Sequence, residues 1–195
     1  KDRPLLKRET IAKATPPVLL DLLKSPAQYN RVQAMRELAG HEPDKLLPQI
    51  KKWIGTLDQK DPEYEHHRLE GLWLTVATRA NYTELALEVL RSPSPQARTG
   101  AVRAIARWNS KADPIDKMSL LAQAVEDSHP RVRLEAVSAL RDIGTLESAT
   151  IALRALGQET DNNLAFALEL TVRNLRDKWL PAMQAGKPVF DGDPS

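Results

Sequence analysis

Few side chains in this sequence have the type and spacing for chemistry. There are four histidines, four tryptophans and a regular set of arginines, and no cysteine. His66 and His67, in EYEHHRLEG, are the best metal candidates by type, with Glu63, Glu65 and Glu70 nearby. Adjacent residues on a helix diverge by about 100°, so this pair does not clasp one ion as an i, i+4 pair does. No metal site is expected. His41 and His129 stand in turns, where a histidine more often caps a helix than catalyses. No Ser-His-Asp order, glycine-rich phosphate loop or pair of buried carboxylates can be identified. Without cysteine there is no thiolate ligand, disulfide or c-type haem attachment point. The reading is no catalytic residue, no cofactor and no enzyme.

The elements that must position these residues are helices. EDSHPRVRLEAVSALRDIG, residues 126–144, reads as one complete helix-turn-helix joint. A first helix ends at Asp127. His129 and Pro130 fill the turn, because Pro cannot continue one helix but suits the first position of the next. Val132, Ala136, Val137, Leu140 and Ile143 then form an apolar stripe, with Glu135, Ser138, Arg141 and Asp142 off it. Gly144 closes the helix.

One hairpin cannot bury its own stripe, and the joint recurs. Hairpin one takes residues 17–24 and a second helix from about Asn30. Hairpin two takes DKLLPQIKKWIGTL, which Pro48 should kink, and EYEHHRLEGLWLTVATRA, with Leu69, Leu72, Trp73 and Val76 as its stripe. Hairpin three is YTELALEVLR, the turn from Ser92 to Pro95, and QARTGAVRAIARW. Hairpin four is PIDKMSLLAQAVED with the joint above. Hairpin five is LESATIALRALG followed by one long helix, NLAFALELTVRNLRDKWL, to about Pro181.

Aligned on a small residue, the second helices superpose at Ala34, Gly71, Ala101, Ala136 and Ala167, spaced 37, 30, 35 and 31 residues apart. In four of the five an arginine precedes it by three: Arg31, Arg68, Arg98 and Arg133. The fifth has Leu164, as suits a terminal repeat. Periods of this length built from two helices belong to solenoids of the HEAT and armadillo type, and no run of alternating β-branched residues suggests a sheet. The expected fold is all-α: a right-handed α-solenoid of about five hairpins. Residues 1–16 read as a linker or short helix, 17–182 as the repeat domain and 183–195 as a flexible tail.

SPSPQARTGAVRAI and DSHPRVRLEAVSAL resemble HEAT repeats, the second down to its D-x-x-P-x-V-R-x-x-A-V-x-A-L run; the resemblance covers residues 17 to about 180. LLDLLKSPAQYNRVQAMREL, DPEYEHHRLEGLWL and NNLAFALELTVRNLRDKW resemble the HEAT segment of large exported proteins of planctomycete-type bacteria. In those, a dehydrogenase-like propeller precedes the repeats and a cytochrome c domain follows. That resemblance implies an internal segment of a longer, exported or periplasmic protein, with propeller and haem motif outside this chain. The start at Lys1 and the polar end fit the same reading.

HEAT-like DNA glycosylases place aromatics and an acid in a basic groove, so Trp53, Trp73, Trp108 and Trp179 need weighing. Trp73 sits beside Leu72 and Trp108 replaces Ile143 in its repeat, the pattern of core fillers. Arg31, Arg68, Arg98 and Arg133 lie beside the turns. There they can satisfy carbonyls ending the preceding helix and pair with a carboxylate such as Asp127 or with the next repeat, as a structural ladder. Arg36, Arg103, Arg107, Arg141 and Arg173 project from the polar side of the second helices, and are the candidates for partner contact. The net charge is only +2, from 28 Lys+Arg against 26 Asp+Glu, and Asp142 and Glu169 interrupt the positive field. Nucleic acid is therefore the lesser reading. The leading one is a non-catalytic scaffold, monomeric when isolated, that docks a protein or neighbouring domains of its parent chain. No apolar run reaches the length of a membrane span.

Overall fold

The structure is a computed structural model that describes residues 11–80, 82–108, 115–187 and 189. Among them there are eleven α-helices and no strand. They fall into two compact units, the first ending at Leu85 and the second resuming at Ala86. Each is an assembly of helices of the α-solenoid class.

The first unit contains α1 (Pro16–Leu22), α2 (Gln28–Leu38), α3 (Pro43–Gly55) and α4 (Tyr64–Thr78). Prolines at the starts of α1 and α3 sit where a missing N–H costs nothing. Pro48, expected to kink α3, lies inside a helix that runs unbroken through it. The core is Leu19, Leu20, Leu23, Ala34, Leu38, Leu46, Ile50, Trp53 and Leu74. Ile11 and Ala14, placed by the sequence reading in a linker, pack against this core; residues 1–10 of that segment lie outside the described residues.

Gly71 marks the closest crossing. A Cβ built there falls 2.5 Å from Ile54 Cδ1 and 3.2 Å from Trp53 Cζ3, so at this crossing any added side chain requires Ile54 to shift. Ala34, Ala101, Ala136 and Ala167, the other members of the small-residue series, are all buried.

His67, in the first turns of α4, is buried with its Nδ1 3.8 Å from Asp61 Oδ2. Burial lowers its pKa below the ordinary 6.5; Asp61 opposes this, and His66 and Lys24 add to the lowering while Glu63 opposes. A histidine held neutral stabilises the fold above its unfolded pKa. As pH falls below about 6.5 the unfolded chain takes the proton first, and that stability is lost. His67→Gln should therefore flatten the fall of the urea midpoint between about pH 7 and pH 5. Superimposable pH profiles for the two proteins would show that His67 titrates as it does in water.

α5 (Thr83–Leu90) crosses the boundary between the units. The second unit continues through α6 (Pro95–Arg107), α7 (Lys117–Ala124), α8 (Pro130–Ile143) and α9 (Leu146–Leu153). A 3-10 turn (Arg154–Gly157), α10 (Asn162–Asn174) and α11 (Arg176–Gln184) complete it. Its centre is α8, which packs on α6, α7, α9 and α10. The α8 stripe is buried from Val132 to Leu140, but Ile143 at its end is 36% exposed. Gly144 follows at φ +75°, where it caps α8 without the strain a side chain would bring.

The last helix is two helices, where the sequence suggested one. The chain breaks at Leu175, which becomes buried, and Trp179 Nε1 donates to Val172 O at 2.8 Å. That carbonyl would have accepted from Arg176 in a continuous helix, so the indole takes over a bond that the break frees. The boundary expected at 182 also shifts. α11 continues to Gln184, and Val189 is buried with its carbonyl accepting from Thr150 Oγ1 on α9 at 2.5 Å. The rest of the expected tail, residues 188 and 190–195, lies outside the described residues.

Candidate functional site

The turns that join first to second helices share one hydrogen-bonded joint. At its start Ser25, Ser92 or Asp127 accepts the N–H two residues on, at 3.3, 3.0 and 2.8 Å. Six residues later an arginine reaches back into the turn. Arg31 Nη1 donates to Ser25 O and Pro26 O, Arg98 Nη1 to Ser92 O and Pro93 O, and Arg133 Nη1 to Asp127 O and Ser128 O. These carbonyls end or follow a helix, so the cation meets both hydrogen-bond acceptors and the negative helix end.

The same guanidinium then reaches forward. Arg31 Nε donates to Glu70 at 2.9 Å, and Arg98 grips Asp127 with two bonds at 2.8 and 2.9 Å. Arg133 donates to Gln158 Oε1 at 3.0 Å and to Glu159 O at 2.5 Å. Each arginine thus ties its own turn to a later segment. Arg68 is held differently, by Glu65 one turn back and over the Tyr64 ring. In its joint Asp61 accepts from Glu63 N, which places Arg68 seven residues on instead of six. Leu164, replacing the arginine in the last repeat, is fully buried.

Asp127 is the hinge of this arrangement, because it caps its own turn and holds Arg98. Burial alone would raise its pKa; the Arg98 guanidinium and the His129 N–H more than offset that, leaving it below the ordinary 3.8. A depressed carboxylate stabilises the fold above its unfolded pKa and loses that contribution as pH falls through its folded one. Asp127→Asn should cost about 1–3 kcal/mol at neutral pH. It should also remove part of the stability that the parent loses below about pH 4. Urea midpoints of both proteins across that range check the two effects together.

The five arginines expected to meet a partner divide between the two units, one in the first and four in the second. Arg36 is exposed on α2, in the first unit. Arg141 pairs with Asp142 at 3.3 Å and Arg173 with Glu169 at 2.6 Å. Arg103 and Arg107 come together in a cleft between α6 and α8, which Ala106, Glu135, Ser138, Ala139, Asp142 and Ile143 complete. Ala106, Ser138 and Ala139 are the small residues of its lining. Arg103 crosses it in a paired bridge to Glu135, at 2.8 and 2.5 Å. Glu135 raises the Arg103 pKa through this hydrogen bond, against the cost of burial. The sequence marked Glu135 only as a polar-face residue; its placement three positions before the residue one repeat on from Arg103 was the available signal.

His129 Nδ1 accepts from Arg131 N and caps α8, while Trp53 and Trp108 are buried. Among the described residues no group of three or more His, Cys, Asp or Glu could hold a metal ion. Nor is any described helix long and apolar enough to cross a membrane.

Helical hairpins knit by a repeated joint define an all-α helical-repeat protein of the α-solenoid class. Residues 83–171 match the family model of HEAT repeats, the span that contains the joints at 92–98 and 127–133. HEAT repeats generally serve as scaffold and interaction modules and are typically non-catalytic. No curated protein matches the chain.

Proposed function

We propose that this chain is a non-catalytic scaffold that docks a protein segment, or a neighbouring domain of its parent chain, in the cleft between α6 and α8. The observation that carries the reading is the cleft itself. It lies between adjacent second helices within the HEAT-like span, and its lining combines small residues, the apolar Ile143 and charged residues of both signs. Walls of mixed sign select a partner by charge pattern more than they add raw affinity. The likeness of three stretches to the HEAT segment of exported multidomain proteins supports an internal, exported segment as the context.

A photo-crosslinking residue at Ser138 should join the chain to a discrete partner or to a parent domain, and Ala139→Glu should abolish that product. The same residue on an exposed first-helix position should give none. Equal products from both positions would remove the cleft from the account. Duplex or abasic DNA bound below micromolar at about 150 mM salt would instead favour a nucleic-acid groove.

A further inference from the structure

The first unit holds a second concavity, unrelated to the docking cleft. It lies between α1 and α3, is lined by Pro17, Leu20, Gln49, Lys52, Trp53 and Thr56, and has a volume of about 270 Å³. Leu20 and Trp53 are buried and, with Pro17, give it an apolar floor. The other three form a polar rim.

Two features of this lining ask for a ligand. Trp53 is only 8% exposed, and its indole Nε1 is closed to solvent with no hydrogen-bond partner. Buried donors are almost always paired, so an orphan needs a reason. The opposite corner of the ring, Cζ3, is the one that faces Gly71 on α4. The Nε1 corner is therefore the one turned from Gly71, in a residue that also lines the pocket.

The second feature is the balance of polar groups. Thr56 Oγ1 donates to Trp53 O at 2.6 Å, and Gln49 Nε2 spends one proton on Lys45 O at 3.2 Å. What remains around the pocket is the Lys52 ammonium, a second Gln49 N–H and the indole N–H as donors, with Gln49 Oε1 and Thr56 Oγ1 as neutral acceptors. No carboxylate is among the lining residues. The site offers donors and a cation and lacks an acid.

We propose that this pocket binds a small carboxylate with an apolar body, such as an aryl-alkanoate. A cavity of about 150 Å³ holds benzene, so this one takes a phenyl ring with a short acid chain. The ring rests on Leu20, Pro17 and Trp53, and the carboxylate meets Lys52. The indole N–H is closed to solvent, so pairing with it requires the side chains over it to move. The C-terminal end of α3 opposes an anion with about half a charge, which the full charge on Lys52 outweighs.

The test uses 3-phenylpropionate as probe and the indole N–H signals of 15N-labelled protein as readout, with Trp53 assigned by its loss in Trp53→Phe. The Trp53 signal should move saturably, with a dissociation constant of about 1 mM or lower. 3-Phenylpropanol, which keeps the ring and loses the charge, should bind at least about fivefold more weakly, as should 3-phenylpropionate to Lys52→Met. Lys52 is exposed, so that variant keeps the fold. No saturable shift by about 10 mM would overturn the proposal. So would equal binding of acid and alcohol, or undiminished binding by Lys52→Met.

Discussion

Arg133→Met should destabilise the second unit by about 3 kcal/mol, far more than an exposed arginine is worth. Arg133 is only 2% exposed, and four acceptors surround it: Asp127 O, Ser128 O, Gln158 Oε1 and Glu159 O. Methionine fills much of the volume but leaves those acceptors inside without donors. Three of them are backbone carbonyls, which cannot turn away without unwinding the turns they belong to. Arg133→Lys keeps the charge and loses the planar fork, so it should recover less than half of the loss. Arg131→Met, two residues earlier and exposed, should change stability by less than about 0.5 kcal/mol. Urea midpoints of the three variants decide the matter, and equal effects at 131 and 133 would mean that the buried network contributes nothing.

Gly71→Leu should be comparably damaging in the first unit, at about 3 kcal/mol, because the α3–α4 crossing has no room for a bulky side chain. Even the first atom of that side chain meets Ile54 Cδ1 at 2.5 Å and Trp53 Cζ3 at 3.2 Å. Gly71→Ala separates sterics from propensity. Alanine gains about 1 kcal/mol over glycine in a helix interior, and the Ile54 methyl is the far end of a side chain that can rotate. The alanine variant should therefore lie within about 1 kcal/mol of the parent. A leucine variant as stable as the alanine one would show that the helices part freely at this point.

How much of this was legible in the sequence depends on how local the cause is. The joint at 126–144 could be read because Pro130 and Gly144 act locally, at the start and end of one helix. Of the arginines' forward partners, Glu70 and Gln158 could not. The three partners lie 39, 29 and 25 residues away at Glu70, Asp127 and Gln158, because the repeats differ in length. Asp127 was found through its place in the turn, and Gln158 was missed because its amide does not announce an ion pair. The extra residue between Asp61 and Arg68 is visible in the sequence only once the joint's geometry is known. The break at Leu175 was hidden for another reason: its residues are good helix formers, and tertiary burial of Leu175 together with the Trp179 bond overrides propensity. As for the candidate site, phase alone placed five arginines on the polar side of second helices. It could not show that Arg103 is tied to Glu135, or that only Arg103 and Arg107 share a cleft.

The account rests on arginines that stitch consecutive hairpins, and Arg98 with Asp127 is the cleanest instance, gripped by two bonds with both side chains 15% exposed. A double-mutant cycle with Arg98→Met and Asp127→Asn isolates that contact from the turn carbonyls and the His129 cap that each partner also serves. The expected coupling is about 1–2 kcal/mol, above the range of exposed pairs, and it should survive about 0.5 M salt in large part because the pair is shielded. Strictly additive effects, within about 0.3 kcal/mol, would contradict the claim that the arginines hold the repeats together.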